Sequence, residues 1–302
     1  MFQVMFHKLT KKNCNYLLSG FLVRFSSTYL TPIKTAGCIV IGDEVLNSKI
    51  RDTNSQFFAK YCFGKGIDLK KISIIGDDEL EIKNTVLEFD KKFDFIVTSG
   101  GIGPTHDDIT YSSIAKAFNL PLEIDLFARE KLETHHSELI KNFNKEQKEA
   151  NLRMVTLPHG SNVQTFYTQD LWVPIVNINN KLNILPGIPR LFERMLLEGI
   201  DPAIAKRLDP NLKFKSYYVN TKFPESRIAP ILNKLIKNDR FNQIDIKLGC
   251  YPHKDSNTVS VTGRILNDNI LNELVTIIEK ELNGMVITKA QEHEFSQSSY
   301  NI

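Results

Sequence analysis

The sequence predicts an α/β protein: a doubly wound, mostly parallel sheet followed by a second, smaller ferredoxin-like α+β unit. Three observations carry this expectation. From Ala36 to Phe118, short apolar runs alternate with stretches of helical periodicity, the order that builds a parallel sheet. A glycine-rich loop, Thr98-Ser99-Gly100-Gly101-Ile102-Gly103, joins one such run to one such helix. Beyond Lys213 the order becomes β-α-β-β-α-β, in which two helices cover one face of an antiparallel sheet.

Ala36 to Ile41 is a continuous apolar run of the kind a doubly buried strand shows, and Gly42-Asp43-Glu44 ends it in an acidic turn. These carboxylates stand at a strand's C-terminal end, the edge where open α/β sheets bind ligands. Asp52-Thr53-Asn54 opens a helix with several capping residues; Phe57, Phe58, Tyr61 and Cys62 share one face, and Gly64 and Gly66 stop it. Leu69 to Ile75 gives a second strand. Asp78-Glu79-Leu80-Glu81 has the Asp-x-x-Glu pattern of a helix start, with Ile82, Val86, Phe89 and Phe93 at helical spacing after it. Asp94-Phe95-Ile96-Val97 is the third strand and leads into the glycine loop. In the next helix Tyr111, Ile114, Ala115 and Phe118 form one apolar face.

Leu126 to Ala150 reads as one or two surface helices, and the adjacent His135 and His136 point too far apart on a helix to pair on a metal. Met154 to Leu157, Val163 to Tyr167, Val173 to Asn177 and Leu182 to Leu185 read as short strands. Leu185-Pro186-Gly187-Ile188-Pro189 closes the last one and starts a helix, with Gly187 either a turn or the rim of a ligand cleft. The expected divisions are a leader at residues 1–30, a first domain at 31–200, a second at 201–290 and a polar, frayed tail at 291–302.

The 302 residues suffice for two cores, and 42% hydrophobic with 24% charged residues is ordinary globular composition. Lys8, Lys11, Lys12, Arg24 and Lys34 fall in a stretch without acids; taking these five from the net charge of +3 leaves −2. No global basic field therefore draws the body of the protein to nucleic acid. The acid-free N-terminus, with Ser19, Ser26, Ser27 and Thr28, fits a mitochondrial transit peptide, and Arg24-Phe25-Ser26-Ser27 resembles a matrix-protease site. No run approaches the ~18 apolar residues of a membrane span. Cys14, Cys38, Cys62 and Cys250 show no metal spacing and fit a reducing compartment, with Cys38 and Cys62 as core residues.

Three glycines in four positions let a backbone present N–H groups to an anion beside a helix N-terminus. Asp107 and Asp108 stand at the same place and would repel a phosphate unless a hard divalent cation bridged them. The competing explanation is that one aspartate merely caps the helix.

Together, Gly42-Asp43-Glu44-Val45-Leu46, Asp52-Thr53-Asn54, the glycine loop with Pro104-Thr105-His106-Asp107-Asp108, and Leu185-Pro186-Gly187-Ile188-Pro189 resemble the molybdopterin-binding (MoaB/MogA-like) domain family. Within it the likeness is nearest to the CinA-type branch and the N-terminal domain of animal FAD synthase. Glu225-Ser226-Arg227-Ile228-Ala229-Pro230-Ile231-Leu232 and Leu248-Gly249-Cys250-Tyr251-Pro252 extend it into the second unit. Two departures stand out: Ser48 where the family has glycine, and Arg190 where it often has an acid.

The resemblance implies a metal-dependent diphosphatase that hydrolyses FAD to FMN and AMP, or cleaves a related adenine dinucleotide. It implies a divalent cation (Mg²⁺, Mn²⁺ or Co²⁺) on Asp43, Asp107 and Asp108. The pyrophosphate would lie on the backbone of Gly100, Gly101 and Gly103 with the Ser99 and Thr105 hydroxyls. His106 would assist the leaving group or make one structural hydrogen bond, Asp52 and Asn54 would bind base or sugar or cap their helix, and Gly187 would face the cleft. Molybdopterin binding or adenylylation is one alternative, and a non-catalytic flavin- or pterin-nucleotide binder another. A homodimer or trimer is expected, with neither nucleic acid nor membrane as partner. The stretch after residue 290 leaves no room for the synthase or deamidase domains of relatives, so synthesis of FAD by this chain alone is not expected.

Overall fold

A computed structural model of the chain describes residues 16–18, 21–23, 31–242 and 244–299. The expected leader lies outside the described residues except for β1 (Tyr16–Leu18) and β2 (Phe21–Val23), which pair antiparallel. The described residues form two compact units, one reaching Tyr61 and resuming over Asp68–Leu208, the other comprising Cys62–Ile67 and the chain from Asp209 onward.

In chain order the first stretch holds β3 (Thr35–Ile41), α1 (Asp43–Leu46), α2 (Asn54–Lys65), β4 (Asp68–Ile75), α3 (Glu79–Lys92), β5 (Phe95–Ser99) and α4 (Thr110–Ala117). It continues with β6 (Leu122–Ile124), α5 (Leu126–His135), α6 (Ser137–Ile140), α7 (Lys145–Arg153), β7 (Thr156–Pro158), β8 (Val163–Tyr167), β9 (Pro174–Ile178), β10 (Leu182–Leu185), α8 (Pro189–Arg194) and α9 (Asp201–Ile204). The main sheet has the order β4-β3-β5-β10-β9-β8. The first four strands in that order are parallel, whereas β9 and β8 add antiparallel as a hairpin.

Apolar composition explains the middle of this sheet: every residue of β5 and β10 is buried. The chain steps from β3 to β4 on one side, then returns across β3 to β5 on the other. Right-handed crossovers in opposite directions put α2 and α3 on opposite faces and leave a crevice where β3 and β5 part, at their C-terminal ends. Asp78 caps α3 as its spacing predicts, accepting from Glu81 N–H at 2.8 Å.

The second unit contains β11 (Phe214–Thr221), α10 (Glu225–Ile236), α11 (Asp239–Asn242), β12 (Lys247–Pro252), β13 (Asn257–Arg264), α12 (Asp268–Glu281), β14 (Met285–Ile287) and α13 (Lys289–Ser299). Its sheet order β12-β13-β11-β14, antiparallel throughout, is the ferredoxin-like arrangement expected. Val219, Val259 and Val261 of the sheet pack with Ile228, Leu232, Leu274 and Ile278 of the helices.

Four expectations change. The segment expected at Met154 to Leu157 is not in the main sheet; β7 pairs with β6 and packs against α4. The stretch after Leu126 forms three helices. The second domain does not begin at residue 201: the first unit runs to Leu208, because the π-helix Met195–Ile200 runs on into α9, where Pro202 fits a first helical turn and Asp201 accepts from the Tyr61 hydroxyl at 2.9 Å. The polar tail from Gln291 is helical rather than frayed. Thr288 and Gln291 start that helix reciprocally: Gln291 Oε1 accepts Thr288 N–H at 2.9 Å and Thr288 Oγ1 accepts Gln291 N–H at 3.3 Å.

Candidate functional site at the glycine loop

The glycine loop leaves β5 at the crevice. Gly100 donates its N–H to Leu185 O at 3.1 Å, and Thr110 fastens the far side, its N–H to Gly101 O at 3.0 Å and its hydroxyl to Gly100 O at 3.0 Å. Only glycine serves at 100: φ is +112°, and a Cβ there would stand 2.1 Å from Ile41 O.

Asp108 closes the loop on itself. Its Oδ1 accepts Gly103 N–H at 2.6 Å, and its Oδ2 accepts Thr105 N–H at 2.9 Å and the Thr105 hydroxyl. Arg153 donates to Thr105 O at 3.0 Å from outside. This corrects the expected cradle and both roles weighed for Asp108. The N–H groups of Gly100 and Gly103 and the Thr105 hydroxyl are already engaged; Asp108 does not cap α4, whose N-cap is Ile109 without a side-chain bond, and its carboxylate, in the cavity lining, is turned to the loop's own donors. Among the described residues, the N–H groups of Gly101 and Ile102 have no partner and remain available to an anion.

Asn54 braces the loop from α2. It is 5% exposed, and its amide donates to Ser99 Oγ and to Gly187 O, both at 2.8 Å. Its Oδ1 is buried with no partner among the described residues. Gly187 lies so close that a Cβ on it would be 3.3 Å from Gly100 Cα, so this glycine permits β10 and the loop to meet. Asp52 takes the capping role weighed for it, accepting Ser55 N–H at 3.0 Å together with the Ser55 hydroxyl.

The acidic side chains gather differently from the expected set. Asp43, Asp107 and Asp108 do not converge: no three metal-ligating side chains form a group among the described residues. The reason is Asp108's engagement in its own loop. Asp77, which follows Gly76 at the end of β4, joins Asp43 instead, accepting its N–H at 3.0 Å. Burial pushes the Asp77 carboxyl above the usual range; the Asp43 N–H opposes this, and the charges of Asp43, Glu44 and Asp107 add to it. Asp77 Oδ1 lies 3.5 Å from where a Cβ on Gly101 would stand, so this acid borders the loop's free donors. A cation would relieve that concentration of charge, and ions such as Mg²⁺ are typically held by one or two carboxylates plus substrate phosphates. The pair Asp43–Asp77 fits such a group. His106 is solvated, 94% exposed, with Nδ1 3.9 Å from Asp107 Oδ1. Ser48 adopts φ +63°, a left-handed conformation that strains a side chain where the family has glycine, and Arg190 is exposed and does not line the crevice.

Beside the loop opens a cavity of about 480 Å³, a size ordinary for small-molecule sites. Ser99, Gly101, Gly103, Asn54 and Gly187 line it together with Ile50, Ile102, Met154, Trp172, Ile188 and Leu191. Two residues, one beside the loop and one in the cavity wall, escape sequence reasoning. Asp77 had a signal, because Gly76-Asp77 ends a parallel strand just as Gly42-Asp43 does; the cap motif beginning at Asp78 masked it. Trp172 had none, since only the fold brings the β8–β9 turn to the crevice.

A glycine loop with free N–H groups at the C-terminal edge of a parallel sheet marks the crevice in which open α/β folds bind their ligands. The chain belongs to the family described as "Probable molybdopterin binding domain", whose model matches residues 37–206. It is 35% identical over 212 residues to a Pyrococcus abyssi protein, covering 68% of this chain and 82% of that one. It is 32% identical over 241 residues to a probable FAD synthase of Caenorhabditis briggsae, covering 72% of this chain and 43% of the relative. The chain thus spans about half the length, or less, of such relatives, 51% for the Caenorhabditis elegans protein. The crystal structure of CinA from Thermoplasma acidophilum aligns with 58% of this chain and 97% of its own at 25% identity and a TM-score of 0.48.

Proposed function

We propose that this protein is a divalent-cation-dependent diphosphatase that hydrolyses FAD to FMN and AMP, or cleaves a related adenine dinucleotide. The observation that carries this is the meeting, at one crevice, of the unpartnered Gly101 and Ile102 N–H groups with the Asp43–Asp77 pair. The first suits a phosphate and the second a cation, and a diphosphate with its cation needs both. The probable FAD synthases among the relatives support a flavin dinucleotide as substrate.

In this reading the loop N–H groups orient the diphosphate and meet the charge that grows on its oxygens as water attacks phosphorus. Asn54, by donating to Ser99 Oγ, leaves that hydroxyl's own proton to be donated onward. Asp43 and Asp77 would hold the cation, which when bound supplies charge neutralisation and Lewis acidity. The second reading, molybdopterin binding or adenylylation, is favoured by the family's description alone.

The test is incubation of the purified chain with FAD, ADP-ribose and NAD, with Mg²⁺, Mn²⁺ or Co²⁺ and with EDTA. Cation-dependent release of FMN and AMP is expected, with Asp77→Asn lowering the rate at least about tenfold, the lower end of what even outer-shell partners of a metal cost. FAD left intact with every cation, while molybdopterin binds, would transfer the assignment to the second reading.

A further inference from the structure

We propose that the cavity wall formed by Trp172 receives the isoalloxazine ring of a flavin nucleotide, so that the flavin half of the substrate, rather than the adenine half, is recognised by its ring. The proposal deepens the diphosphatase reading and takes from it that phosphate lies at the glycine loop.

The lining divides by chemistry. The loop and the Asn54–Ser99 pair offer polar contacts to phosphate and sugar, whereas Trp172, Met154, Ile50, Ile102, Ile188 and Leu191 form a mainly apolar wall, with Glu44, Arg51, Asp52 and Thr53 elsewhere in the lining. Ile50 and Ile188 are 53% and 60% exposed although they line a concave site, so apolar area stands ready to be covered by something flat. Adenine carries donors and acceptors around its rim, which this wall would leave unpaired. An isoalloxazine offers it a dimethylbenzene edge and keeps its carbonyls on the opposite edge. Arg51 also lines the cavity, exposed and without a partner among the described residues, and is a donor suited to those carbonyls.

Trp172 is held for this work. The His136 ring meets it edge-on, centroids 5.5 Å apart at 77°, and His135 meets His136 in the same manner at 4.8 Å and 88°. Burial, with the neighbouring His135, pushes the His136 imidazole down, favouring the neutral ring against the indole. Met154 adds a soft, polarisable side chain to the same wall.

The experiment uses the full chain in EDTA, titrated with FMN, riboflavin and AMP. Trp172 is the sole tryptophan, so quenching that disappears in Trp172→Leu reports contact with the indole. FMN is expected to bind with loss of its own emission, which indole quenches at contact. Trp172→Leu should weaken FMN between about fivefold and a hundredfold, the range of base–aromatic stacking, and leave AMP as it was. Trp172→Phe should keep most of the affinity, which separates loss of a ring from loss of the fold. Equal FMN affinity in Trp172→Leu, or an equal loss for AMP, overturns the proposal. The two readings fail separately: FAD cleavage with KM unchanged in Trp172→Leu removes the ring site alone, and Trp172-dependent FMN binding by a chain that cleaves no dinucleotide removes the diphosphatase alone.

Discussion

Ser48 occupies the left-handed region at φ +63°, where a side chain costs roughly 1–2 kcal/mol and glycine nothing. Glycine also gives up more freedom on folding, so Ser48→Gly is expected to stabilise the protein by up to about 1 kcal/mol, read as a higher Tm. The converse holds at Gly100. A Cβ there would penetrate Ile41 O, and Gly100→Ala should prevent the loop from closing; on the proposed reading, phosphate binding is then lost before the fold. At this scale glycine spacing announced the loop, and a strand-end Asp announced Asp43. Asp108's role stayed hidden because a carboxylate next to a glycine loop has the same sequence appearance whether it faces a cation or the loop's own N–H groups. In sequence Asn54 reads as a cap or a sugar ligand; in the structure it is a strut, a distinction that depends on where Gly187 arrives.

Among elements, the β3–β5 pair is clamped at its entry by Asp94. Its Oδ2 accepts Lys34 N–H at 3.0 Å, Thr35 N–H at 2.9 Å and the Thr35 hydroxyl at 2.9 Å. Burial alone would raise this carboxyl; the Thr35 and Lys34 N–H groups, the Thr35 hydroxyl and the Lys181 charge outweigh it and hold it below its ordinary value. A group lowered in the folded state stabilises above its unfolded pKa of ~3.9 and loses that contribution as pH falls through the folded value. Asp94→Asn should therefore cost about 2 kcal/mol at pH 7, and the gap in Tm between parent and variant should close as the pH is taken below about 4. Strands β3, β4 and β5 were legible because burial on both faces leaves continuous apolar runs. The β9–β10 hairpin was legible only as two strands. Its turn places Asn179 and Asn180 at φ +58° and +55° with Lys181 N–H to Ile178 O at 3.0 Å, a type I′ turn whose Asn-Asn pair signals less strongly than Asn-Gly. Helix α13 was missed because its composition is polar throughout and only the Thr288–Gln291 start marks it.

On the scale of the whole molecule, the first unit is closed by a buried cation. Arg207, 7% exposed, donates to Thr31 O at 2.9 Å, to Asp94 O at 3.4 Å and to Asn180 O, binding three distant segments at once. Arg207→Ala should cost at least about 2 kcal/mol, because these carbonyls lose a charged donor, and Arg207→Lys should recover only part, since an ammonium cannot reproduce the guanidinium fork. Urea unfolding of the three proteins measures both. The division into an α/β unit and a ferredoxin-like unit was legible from the switch in element order. The boundary was not: Asp201-Pro202 looks like an end in sequence, yet the chain stays with the first unit until Arg207 is in place.

The brace at Asn54 also has a temporal side. Its two partners, Ser99 and Gly187, are far apart along the chain, and Gly100 likewise waits for Leu185. While the polypeptide emerges from the ribosome, the glycine loop exists long before the strand that pins it. On the proposed reading, a nucleotide would reward a nearly finished first unit without templating its early folding, and chains halted before β10 should gain no protection from FMN or AMP.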